Sequence, residues 1–134
     1  MKAVFDTNVL IAAFVTEGVC SKLLIRARRR NFYLILSTTI IQEFTRILHK
    51  KFSVAPSEIS NIAAVLSEAA SDIIKRTGPI PPTCRYPDDD LILACARDAG
   101  ANYIVTGDED LLVLKSFQRI GILKPRDFES LFSD

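Results

Sequence analysis

Very short apolar runs, separated by stretches of helical length, constrain this chain more than any other feature. Lys2–Phe5, Tyr33–Leu36, Tyr103–Val105 and Ile120–Leu123 are three or four residues long and mostly apolar. Runs this short that are apolar throughout suit strands buried on both faces. Helical spacing falls between them, over Val9–Val15, Ser21–Arg30, Thr39 to about Lys51, Ser57–Lys75, Leu91 to about Ala99 and Pro125 to Leu131. The most regular is Ser57–Lys75, where Ile59, Ile62, Ala63, Leu66, Ala69, Ala70 and Ile73 recur on one helical face. Thr39 with Gln42 fits a capping box. Thr77–Pro87 holds four of the six prolines and is expected to be a loop, Thr106–Asp110 a turn, and Leu111–Leu114 a short helical or irregular piece. The alternation predicts an α/β fold with a mainly parallel sheet and right-handed crossovers.

No repeat, low-complexity tract or linker divides the 134 residues, so one domain over 1–134 is expected. Hydrophobic residues make up 49% and charged ones 25%, enough apolar surface for a core and enough charge for a solvated exterior. No apolar run reaches the ~18 residues of a membrane span. Asp6 interrupts the first apolar stretch, unlike a signal peptide, and a cytoplasmic protein is the expectation. Cys20, Cys84 and Cys95 form neither a CxxC pair nor an even set, which argues for reduced core or boundary thiols over disulfides or zinc. A net charge of +1 does not announce nucleic acid. Two basic groups do stand out: Lys22, Arg26 and Arg28–Arg30, then Arg46, His49, Lys50 and Lys51. Such groups track phosphates or simply complement helix C-termini.

The acids carry the chemistry. In open parallel sheets ligands bind beyond the carboxyl ends of strands, and Asp6 and Asp108 each follow an apolar run that should end at that edge. Asp90 is in the first turn of a helix whose continuation, Leu91–Ala96, is apolar almost all round. One aspartate would cap that helix; Asp88-Asp89-Asp90 supplies three. Glu43 lies at the edge of the stripe formed by Ile40, Ile41, Phe44, Ile47 and Leu48, where a carboxylate loses solvation and needs a partner. Four acids on four separate elements, each placed so that convergence at one sheet edge is possible, call for a cation if they meet, and an all-oxygen set favours Mg²⁺ or Mn²⁺ over zinc. His49, among lysines, reads as a surface residue.

Taken together, DTNVLIAAF, the Glu43 of STTIIQEFTRIL, PDDDLILACARDAGANYIVTGDEDLL and the late ILKPRDF resemble the PIN domain family, most closely its toxin-like branch. The resemblance implies an α/β/α sandwich and a metal-dependent endoribonuclease acting on single-stranded RNA. It places the acidic site at Asp6, Glu43, Asp90 and Asp108, with Asp110 as an additional acid, and leaves open which of Asp108 and Asp110 points at the metal. Asn8 and Thr106 match polar supporting positions. Arg28 and Lys50 are the candidates for holding RNA backbone. A small antitoxin partner and a homodimer or higher homo-oligomer are further implications. Two other readings compete. A Mg²⁺-dependent phosphotransfer domain would want a second acid after the first strand or a late-strand lysine, and neither is evident. A non-catalytic RNA- or protein-binding module would keep the acids only as caps.

Overall fold

The computed structural model describes residues 1–133. Six strands form one sheet: β1 (Lys2–Phe5), β2 (Tyr33–Ser37), β3 (Ala70–Ile74), β4 (Tyr103–Val105), β5 (Ser116–Phe117) and β6 (Ile120–Leu123), in the order β3-β2-β1-β4-β6-β5. All neighbours are parallel except β5 with β6. The helices are α1 (Thr7–Val15), α2 (Val19–Arg28), α3 (Thr38–Phe52), α4 (Pro56–Ala69), α5 (Pro87–Ala99), α6 (Glu109–Leu112) and α7 (Pro125–Glu129). This is the expected three-layer α/β/α arrangement.

The topology dictates where a site forms. From β1 the chain moves outward through α1 and α2 to β2, then through α3 and α4 to β3. It returns through α5 to β4, on the other side of β1. Right-handed crossovers in opposite directions put α5 on the face opposite α1–α4. The chain therefore parts to both sides between β1 and β4, and the crevice at their carboxyl ends is the switch point where open α/β sheets bind ligands.

The central strands are fully apolar because helices cover both their faces. Ala3, Val4, Phe5, Leu34, Leu36, Ile104 and Val105 are buried. Phe128 of α7 meets Phe5, Phe32 and Phe132 edge-on, an arrangement aromatic quadrupoles favour. Arg26 of α2 adds a bidentate pair to Glu129 at 2.8 and 2.7 Å. Gly100, with φ of 65°, caps α5 and turns the chain into β4. Gly121 leaves room for Tyr103 on the neighbouring strand, whose ring would lie 3.0 Å from an added Cβ.

Several expectations change. The helix expected over Ser57–Lys75 stops at Ala69, and Ala70–Ile74 becomes β3, paired with β2 through a register irregularity at Leu34/Ile35. The helical face continues through Ala70 and Ile73, but pairing with an open strand edge outweighs that periodicity. The cap of α3 is Ser37, which accepts the Ile40 N–H at 3.1 Å, instead of a Thr39–Gln42 box. The final helix ends at Glu129, and β5 adds a strand beyond those expected. No single helix among the described residues is long and apolar enough to cross a membrane.

Candidate metal centre at the switch point

Asp6 leaves β1 and caps α1, its Oδ1 accepting the Val9 N–H at 2.9 Å. Its Oδ2 accepts a hydrogen bond from the Thr106 hydroxyl, and Thr106 Oγ1 accepts the Asp108 N–H at 3.0 Å. Buried Thr106 thus ties the end of β1 to the turn after β4. Burial raises the pKa of Asp6 and Asp108 raises it further, against the hydrogen bonds from Thr106 and Val9. Asn8, expected as polar support, is exposed and lines the cleft above this edge.

Asp108 caps α6, its Oδ1 accepting the Asp110 N–H at 2.9 Å. That turn folds both acids towards the N-terminus of α5. There Asp89, Asp108 and Asp110 each present a carboxylate oxygen within 4.8 Å of the others. Asp89 Oδ2 is buried without a hydrogen-bond partner, the sole such side-chain atom among the described residues. Its carboxyl is pushed up to about 6, first by burial, then by Asp108, Asp110 and Asp6. Crowded anions and an orphaned oxygen are what a hard divalent cation compensates, so this donor set fits Mg²⁺ or Mn²⁺. The geometry brings Asp108 and Asp110 together without choosing between them.

Asp90 lies elsewhere. Its carboxylate accepts the Cys84 N–H at 2.8 Å and the Thr83 N–H at 3.3 Å, pinning the proline-rich loop to α5. Asp89 is the member of the triplet that reaches Asp108 and Asp110, and Asp88 lines the cleft beside it. Successive helical positions differ by about 100°, so only one of three consecutive acids can face the crevice squarely. Glu43 also lines the cleft, but forms a bidentate pair with Arg46 at 2.7 and 3.2 Å.

The two basic candidates are not brought to the acids. Arg28, near the end of α2, borders a separate depression with Ile25, Arg29, Arg30 and Glu68. Lys50 lies in the last turn of α3, ~10 Å along the axis beyond Glu43. Arg46, paired with the cleft-lining Glu43, is the nearer cation, and that pairing at three-residue spacing is legible in the sequence. The thiols match the sequence reading: all three are free, and burial pushes Cys95 up to about 12. Cys84 also rises to about 12, through burial and then Asp90.

A parallel α/β sheet with gathered carboxylates at its switch point defines a class of proteins suited to divalent-metal chemistry. Within that class, the family described as "PIN domain" matches residues 2–110, and the chain belongs to that family. PIN domains are generally metal-dependent nucleases. No curated protein matches the chain.

Proposed function

We propose that this PIN domain is an endoribonuclease that cleaves single-stranded RNA with Mg²⁺ or Mn²⁺ held by Asp89, Asp108 and Asp110. The observation that carries the reading is the buried, unpartnered Oδ2 of Asp89 beside those two acids. A cation bound there would lower the pKa of a coordinated water and orient it towards a phosphodiester phosphorus. The protein's own residues supply the rest. Asp6, through Thr106, fixes the turn that aims Asp108. Glu43, on the α3 wall, is a carboxylate available to accept a proton from the attacking water. Arg46, now paired with Glu43, offers a guanidinium for an RNA phosphate at the same wall. In this reading Asp90, the ligand expected from sequence, serves instead to anchor the loop before α5.

The sequence motifs also support a biological role: the toxin of a toxin–antitoxin pair, acting as a homodimer or higher homo-oligomer in the cytoplasm and neutralised by a small antitoxin. A labelled single-stranded oligoribonucleotide incubated with the purified protein tests the chemistry. Cleavage should need Mg²⁺ or Mn²⁺, stop in EDTA, and fall ~10- to 100-fold or more in Asp6→Asn and Asp89→Asn. Cleavage that persists in EDTA or in both variants contradicts the reading. For the toxin role, expression should arrest bacterial growth and Asp89→Asn should relieve the arrest.

A further inference from the structure

The crevice that holds the acids does not end with them. It continues between α3 and α5, the whole cleft from acids to far wall holding about 170 Å³, and that wall changes character. On α3, Ile40, Glu43 and Ile47 line it at a spacing that keeps them on one helical face. On α5, Asp89 is followed by Leu91 and Ile92, which line the same cleft. Ile40, Ile47 and Ile92 are buried, but Leu91 stays 39% exposed on a helix whose next five residues, Ile92–Ala96, are all buried. An apolar shelf with an uncovered leucine at its rim therefore adjoins the carboxylates.

We infer that this shelf receives the base of an unpaired nucleotide next to the phosphate to be cut, with Leu91 as the residue that contacts the base. The inference rests on the nuclease reading above and deepens it. The occupant follows from continuity. A nucleotide joins an anionic phosphate, which needs the cation end of the cleft, to a flat base whose faces are apolar. From Glu43 to Ile47 is about one helical turn, ~6 Å along α3, so acid and shelf lie within one nucleotide's reach. A base in this cleft has left its stack and its pair, as enzymes that bury a base require. Leu91, backed by the buried isoleucines, meets a base by its face and reads no hydrogen-bonding edge, so it demands a base without choosing among the four; any choice falls to the polar lining, Asn8 and Thr39.

The test uses a short single-stranded oligoribonucleotide and the same strand with single abasic sites scanned along it, measured with Mn²⁺ for affinity and for cleavage. The wild-type protein should bind and cut the intact strand several-fold better than the strand whose abasic site abuts the scissile phosphate. Leu91→Ala should lose about tenfold in affinity for the intact strand while barely changing on that abasic strand. Leu91→Met should restore most of the loss. Equal losses on both strands, or none on either, overturn the shelf. A strand that binds with the predicted base dependence but is never cut would instead overturn the nuclease reading and leave the shelf standing. Metal-dependent cleavage indifferent to the abasic site would do the reverse.

Discussion

Glu129 and Asp89 are carboxylates set among charges, and their surroundings are opposite. Glu129 faces the guanidinium of Arg26 and the ammonium of Lys22, which hold its pKa below the ordinary value. Asp89 faces Asp108, Asp110 and Asp6, and its pKa rises to about 6. The first acid is complete within the protein: it joins α7 to α2 and leaves no charge unanswered. The second is incomplete, and the missing part is positive. Stability is built on one side of the molecule, while the carboxyl edge of the sheet keeps an unfavourable cluster that a proton or a bound cation relieves.

Breaking the complete pair should have the largest effect on stability. Arg26→Ala leaves Glu129 with only the exposed Lys22 as a partner and removes the guanidinium that stacks 4.6 Å from the Phe132 ring centre. A loss of about 2–3 kcal/mol in urea unfolding is expected, with Mn²⁺ affinity nearly unchanged. A smaller, opposite effect is expected at the acid cluster. In EDTA above pH 6, Asp89→Asn should raise Tm by a few degrees, the size of about 1 kcal/mol once solvent screening is allowed for.

The two acids should also oppose each other in pH dependence. Asp89 binds its proton more tightly in the folded chain, so metal-free stability should fall as pH rises from about 3.8 to about 6. Asp89→Asn should flatten that fall. Glu129 is held low, so its contribution is present above about 4.5 and is lost as pH drops through its depressed value. Thermal melts of wild type, Asp89→Asn and Glu129→Gln across this range, without metal, separate the two.

The same contrast explains what was legible in the sequence. The four buried parallel strands and their edge were readable because local apolar runs and crossover handedness leave few alternatives. β3 was not, because Ala70 and Ile73 extend the helical period of α4 and only the open edge of β2 makes the segment a strand. β5 was hidden because its two-residue turn is made by Gln118 and Arg119, both at positive φ, where glycine or asparagine would have signalled a hairpin. Within the site, Asp6, Thr106 and the Asp108–Asp110 turn were visible as strand-end residues. The sequence motif favours Asp90 and the geometry favours Asp89, because the choice within Asp88-Asp89-Asp90 depends on where the Thr83–Cys84 backbone settles. That loop takes up the Asp90 carboxylate and leaves Asp89 to face Asp108.

The central claim is that Asp89, and not its neighbour Asp90, completes the cation site. Calorimetric titration of Mn²⁺ into metal-free wild type, Asp89→Asn and Asp90→Asn tests it directly. Asp89→Asn should weaken binding at least tenfold, while Asp90→Asn should stay within about threefold of wild type despite a looser loop. Full affinity in Asp89→Asn, with the loss falling on Asp90→Asn, would contradict the account.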